Sequence, residues 1–166
     1  MTYFLFDASG LAKRYVPELG RDVIHLIFDK AWPLRTCCLL FGVGETMSIL
    51  VRAHNGGKLL DDEFKEQMAR LRSEVLNHPD FWTIDAERDT ILSSFAFIEK
   101  FSINSTDAIV LRVTINLNDA MQAAGHKLVL VCADKRLVRV AENSGIVVCN
   151  PEQVTLAEVQ RLLDAA

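Results

Sequence analysis

Residues 3–17 read YFLFDASGLAKRYVP, and their order sets the alternation that the rest of the chain repeats. Tyr3 to Phe6 is a short apolar run that ends at Asp7. Ser9 follows as a helix cap, and Leu11, Ala12 and Tyr15 supply an apolar set before Pro17. The stretch reads as a strand feeding a short helix. Val23, Ile24, Ile27 and Phe28 then recur at helical spacing after Gly20, and Pro33 divides them from Leu34 to Leu40, a second strand. Glu45 lies among Val43, Met47, Ile49, Leu50 and Ala53 in a helix that stops at Asn55-Gly56-Gly57. Asp61 to Leu76 is a charged amphipathic helix with Phe64, Met68 and Leu71 on one face, ending before Pro79.

Phe81 to Ile84 is a connector or edge strand, and Glu87 to Phe101 a further helix. Asn104 or Ser105 caps a helix that carries Asp107 in its first turn and runs to about Ala124, before Gly125. Leu128 to Cys132 is a strand. Asp134 opens a basic segment in which Leu137, Val138 and Ala141 suit a short helix, closed by Asn143-Ser144-Gly145. Ile146 to Cys149 adds a buried strand and Thr155 to Leu163 a last amphipathic helix. Strands alternating with helices predict an α/β fold with a mostly parallel central sheet covered on both faces, a three-layer α/β/α domain.

With 166 residues, half of them apolar and 24% charged, the chain has the length and balance of one domain spanning 1–166. No run of about 18 uncharged apolar residues occurs, and MTYFLFDASG lacks the basic head and longer apolar stretch of a signal peptide. The expectation is a cytoplasmic protein with no membrane association. Cys37, Cys38, Cys132 and Cys149 show no C-x-x-C spacing and sit among apolar residues, which predicts reduced, buried thiols instead of a zinc site or disulfides. The net charge of −4 argues against a broad basic face for nucleic acid, but an acid cluster that holds cations would itself give such a balance.

In a parallel sheet, residues distant in sequence meet in the crevice beyond the carboxyl ends of the strands. Asp7 and Asp134 follow predicted strands, and Glu45 and Asp107 sit on helices near chain reversals, so all four are candidates for that crevice. Each has a plain alternative. Asp7 and Asp134 would cap the helices after them, Asp107 would favour a helix dipole, and Glu45 would be solvated, although its helix is mostly apolar. Asp134, beside Lys135 and Arg136, would also form local ion pairs.

Four carboxylates packed together repel and resist dehydration, so such a site calls for protons or hard cations; Mg²⁺ or Mn²⁺ fits best. A metal-activated water hydrolyses a phosphodiester without a protein nucleophile. His25, His54, His78 and His126 are scattered and receive no role. Lys13, Arg14, Arg52, Lys135 and Arg136 flank the acid blocks; each reads first as solvated surface, with contact to a phosphate backbone as the alternative. Among them Arg52, seven residues after Glu45 and so about two turns along one helix, is the preferred candidate for contact with a phosphate backbone.

The segment FLFDASGLAKRY (4–15) resembles the opening of VapC-like PIN domains, where an Asp ends the first strand and a Ser follows two positions later. Three further blocks agree in order: Glu45 in GETMSILVRA, Asp107 in STDAIVLRV and Asp134 in CADKRLVRVAENSGI, with VVCNP closing. The likeness spans nearly the whole chain, though no block is specific alone. It implies a PIN-like nuclease domain with Mg²⁺- or Mn²⁺-dependent endoribonuclease activity of the toxin type, acting on RNA, homodimeric, and held by a small antitoxin protein. Asp7, Glu45, Asp107 and Asp134 carry over as catalytic, metal-binding acids, and Ser9 as a supporting hydroxyl. Two departures stand out, Cys132 where the family has Thr or Ser and Cys38 where it often has Ser; a thiol is only a weak donor.

Two competing readings remain. A catalytically weak or inactive PIN-like module would bind nucleic acid or protein without turnover. A receiver-like or hydrolase-like α/β domain phosphorylated on Asp7 or a nearby acid ranks below it, because the acids are spread over four blocks instead of paired near the first strand.

Overall fold

The computed structural model describes residues 1–164. Five strands form one parallel sheet: β1 (Thr2–Phe6), β2 (Thr36–Leu39), β3 (Trp82–Ile84), β4 (Lys127–Val131) and β5 (Val147–Cys149), in the order β3-β2-β1-β4-β5. The expected sheet was mostly parallel; every observed pairing is parallel. The expected connector or edge strand at Phe81 to Ile84 is an edge strand over Trp82–Ile84, paired in parallel with Cys37 to Leu39.

The helices are α1 (Ala8–Leu11), α2 (Arg21–Ala31), α3 (Leu40–Asn55), α4 (Asp61–Leu71), α5 (Arg88–Phe101), α6 (Ser105–Ala123), α7 (Lys135–Asn143) and α8 (Leu156–Asp164). A 3-10 turn at Ala12–Arg14 extends α1, and a π turn at Arg72–Leu76 extends α4.

Alternation along the strands divides the core in two. Phe4, Phe6, Val129 and Val131 face one side, packed with Ile24 and Ile27 of α2, Leu50 of α3, Leu71 of α4 and Val159 of α8. Leu5, Leu128 and Leu130 face the other, with Leu111 of α6 and Leu137 of α7. This three-layer α/β/α arrangement follows from the path of the chain. It starts at the central strand, moves outward through β2 to β3, then returns to the other side of β1 as β4. Crossovers of one hand run in opposite directions along a sheet must lie on opposite faces.

The reversal of strand order falls between β1 and β4, and loops diverge there to open a crevice at the carboxyl end of the sheet. Gly10 tightens that junction. A Cβ at Gly10 would lie 2.4 Å from the Val131 carbonyl oxygen, so only glycine lets α1 press against the end of β4. Two expectations for surface cations need correction. Lys13 is 3% exposed and pairs with Glu152 at 2.6 Å, and Arg14 pairs with Glu74 at 3.1 Å. Both tie the turn after α1 to neighbouring segments. Among the described residues, no helix is long and apolar enough to cross a membrane.

Candidate functional site

The crevice at the β1/β4 reversal is a cleft of about 310 Å³ lined by Asp7, Glu45, Asp107 and Asp134, together with Ala8, Ser9, Ser48, Ile49 and Arg52. Acids from four separate parts of the chain therefore line one cleft. Each is delivered by local chemistry that the sequence specifies.

Asp7 is the cap of α1, two positions before the expected cap at Ser9. Its extended backbone leaves β1, and its Oδ2 accepts from the Ser9 amide at 3.1 Å and the Ser9 hydroxyl at 2.6 Å. Ser9 instead joins the two strand ends. While its hydroxyl donates to Asp7, its oxygen accepts from the amides of Ala133 at 3.0 Å and Asp134 at 3.3 Å. The Asp7 amide donates to the Val131 carbonyl at 3.0 Å, adding a third tie. Cys132 is fully buried beneath this knot, its Sγ 3.6 Å from Asp7 Oδ2.

Asp134 caps α7, its Oδ1 accepting from the amides of Arg136 at 2.8 Å and Leu137 at 3.0 Å. It makes no ion pair with Lys135 or Arg136 among the described residues, so that alternative for Asp134 falls away. Asp107 sits in the first turn of α6. Asn104, the helix cap, accepts from the Asp107 amide at 2.8 Å and donates its own amide group to Asp107 Oδ2 at 2.9 Å. Glu45 rises from α3, and its carboxylate takes no hydrogen bond among the described residues. Ser48 and Arg52 follow it by three and seven positions on the same helical face.

The capping readings and the site are thus compatible. Asp7, Asp107 and Asp134 each commit one carboxylate oxygen to local structure. The other oxygen of each accepts no hydrogen bond among the described residues.

Crowding of negative charge shows in the proton affinities. Burial, then Asp7 and Asp107, raises the Glu45 carboxyl above the ordinary carboxylate range, with Arg52 opposing. Burial, then Asp134 and Asp7, pushes Asp107 up to about 6, against the hydrogen bond from Asn104 and the charge of Arg136. The acids hence lie within electrostatic reach of one another, and a cation among them would relieve both burial and repulsion. Their oxygen chemistry fits a hard divalent ion. Among the described residues, however, no group of three or more His, Cys, Asp or Glu side chains stands close enough together to hold a metal ion without rearrangement.

Sequence reasoning did not single out Ser48 or Ile49 as cleft residues, although their spacing from Glu45 on one helix carried the signal. The four cysteines are buried and free, as expected. A second hollow of about 250 Å³, between β3 and helices α5 and α6, contains Trp82, Asp85, Glu87 and Leu117 and none of the four acids.

No family model matches the chain, and no curated protein matches it. Among solved structures it is similar to the crystal structure of PAE2754 from Pyrobaculum aerophilum. The identity is 18% and the TM-score 0.62, over 97% of this chain and 99% of that one. A likeness at that identity speaks to the fold alone and agrees with the three-layer architecture.

Proposed function

We propose that this chain is a PIN-like, VapC-type endoribonuclease that hydrolyses RNA phosphodiester bonds with Mg²⁺, or Mn²⁺, held by Asp7, Glu45, Asp107 and Asp134. The observation that carries the reading is the convergence of these four acids, each from a different part of the chain, on one polar cleft at the strand-order reversal. The resemblance of the four sequence blocks supports the same assignment. It also extends the proposal to a homodimer in the cytoplasm, acting as the toxin of a toxin–antitoxin pair with a small antitoxin partner.

The ion, when bound, would make a water acidic enough to attack phosphorus and would stabilise charge on the phosphate. The chain's own residues prepare the site. Ser9 fixes the Asp7 carboxylate and binds the backbone that presents Asp134, while Asn104 fixes Asp107. Arg52 draws an anionic strand toward the acids and offsets part of their repulsion. The Cys132 thiol beneath the cleft is not a ready nucleophile, because burial raises its pKa far above neutrality and keeps it protonated.

The test is incubation of purified protein with labelled RNAs in Mg²⁺, Mn²⁺ or EDTA. Cleavage is expected only with metal, and Asp7→Asn is expected to lower the rate on the order of 100-fold or more. Failure to bind metal together with failure to cleave sinks the proposal.

One observation favours a second reading, a PIN-like binding module without turnover: the acids are not gathered into a ready metal-holding group among the described residues. The weak thiol donor beneath Asp7 points the same way. RNA binding that survives in EDTA, with no metal-dependent cleavage of any RNA, would decide for the module.

A further inference from the structure

The acid cleft continues past its carboxylates. Ile49 and Arg52 also line an adjoining hollow of about 250 Å³ with Glu18, Gly56 and Lys58. Ile49, Ser9 and Asp134 line another, of about 290 Å³, with Lys13, Glu18 and Glu152. Two paths therefore leave the acids around Ile49, and Glu18 stands beside both.

Charge and burial separate the two paths. On the second, Lys13 is 3% exposed and already held by Glu152 at 2.6 Å and Glu18 at 3.8 Å. Its single cation is outnumbered by Glu18, Asp134 and Glu152. That path repels a phosphate, and its lysine is a structural tie. On the first, Arg52 and Lys58 face one carboxylate, Glu18. The Arg52 guanidinium makes no hydrogen bond or ion pair among the described residues. Lys58 is 59% exposed and donates to Glu18 Oε1 at 2.8 Å. A pair so open to water is held weakly and exchanges readily for another anion.

Glu18 reaches this position because its loop is anchored behind it. Gly20, with φ at 84°, lies so close to Pro151 that a Cβ there would stand 2.4 Å from the Pro151 carbonyl oxygen. The loop backbone is fixed, whereas the Glu18 side chain is only half-buried.

We propose that Arg52 and Lys58 form a subsite for the phosphodiester backbone of single-stranded RNA leaving the acid cleft, and that Glu18 occupies the place of a phosphate on Lys58 until the strand displaces it. The identity of the strand rests on the nuclease reading; the subsite itself rests on the groove and its charges. Ile49 lines the same hollow and offers a ribose or base an apolar contact. Glu18 accordingly lowers affinity for any short strand that cannot replace its contact with Lys58.

Binding of a fluorescein-labelled 12-nucleotide single-stranded RNA, followed by anisotropy in EDTA at low salt, tests the subsite without requiring cleavage. Lys58→Ala and Arg52→Ala are each expected to weaken binding about fivefold, as loss of one phosphate contact implies. Glu18→Gln is expected to tighten it by a similar factor, and to have little effect once Lys58 is Ala. Unchanged binding in Lys58→Ala, unchanged or weaker binding in Glu18→Gln, or no measurable binding by the unmodified protein overturns the proposal. The two readings fail separately: these binding responses without Mg²⁺-dependent cleavage keep the subsite and reject the nuclease. Cleavage that depends on Asp7 while all three variants bind like the unmodified protein does the reverse.

Discussion

Asp107 shows how a single residue couples folding, proton binding and the proposed chemistry. Its carboxyl moves from 3.8 to about 6, mainly through burial and then through Asp134 and Asp7. Between those values the folded protein keeps a proton that the unfolded chain has released. Stability therefore falls as pH rises through this window and levels off above it. Glu45 is shifted in the same direction and adds to the slope. In EDTA the unfolding midpoint is expected to fall from about pH 5 to about pH 7, above the range in which the lowered carboxyls of Glu18 and Glu74 act in the opposite sense, and Asp107→Asn to flatten much of the fall; a chemical denaturation series across pH measures both. Metal-dependent cleavage should move the opposite way, rising with pH as Asp107 loses its proton to become an anionic ligand, and the rise should shift to lower pH as the metal concentration is increased. Cys132 supports a second residue-scale prediction. Its thiol lies 3.6 Å from Asp7 Oδ2, where a hydroxyl would be a stronger donor. Cys132→Ser is expected to change stability by no more than about 1 kcal/mol and to raise cleavage a few-fold, whereas Cys132→Val lowers it. Denaturant melts and initial rates on one RNA check the pair.

At the scale of the element, the short helix α1 matters more than its four residues suggest, because it seats Asp7 against the end of β4. Gly10→Ala forces a Cβ onto the Val131 carbonyl, and backbone on both sides leaves little room to give. A loss of about 1 to 3 kcal/mol in urea unfolding is expected, with cleavage falling further than stability alone explains, since Asp7 and Ser9 move with the helix. The sequence carried most of this level. Apolar periodicity and the punctuation of Gly20, Pro33, Gly56 and Gly125 located the major helices and strands, because burial and turn chemistry act locally. Edge strand β3 was ambiguous because three residues acquire their conformation from a neighbouring strand, not from their own pattern. The four acids were readable as strand-end and helix-start residues, yet their meeting in one cleft depends on the strand order, which no local pattern encodes. The buried state of Lys13 was hidden for the same reason. Glu152, its partner, is distant in sequence and is brought close only when the segment after β5 packs beside α1.

Across the whole molecule, the charge distribution predicts an unusual response to salt for a protein that engages RNA. Lys and Arg number 18 against 22 Asp and Glu, a balance that argues against a broad basic surface able to neutralise a long run of phosphates. The subsite argued above offers two cations, Arg52 and Lys58, close to the acid cleft. Each phosphate neutralised on a single strand contributes about −0.7 to the slope of log affinity against log salt, so two give a slope of about −1.4. A protein that grips RNA over a whole face gives several times that value. Anisotropy titrations from about 50 to 200 mM KCl, with the 12-nucleotide RNA in EDTA, measure the slope directly. Lys58→Ala is expected to bring it to about −0.7, because one of the two contacts is gone. A slope steeper than about −3 would mean that strand contacts lie on a surface other than the arm beside Glu18. With so few phosphate contacts, recognition shifts toward the length and flexibility of the strand that can thread from Arg52 into the acids. An unpaired segment, whose backbone is more flexible than that of a duplex, is then favoured.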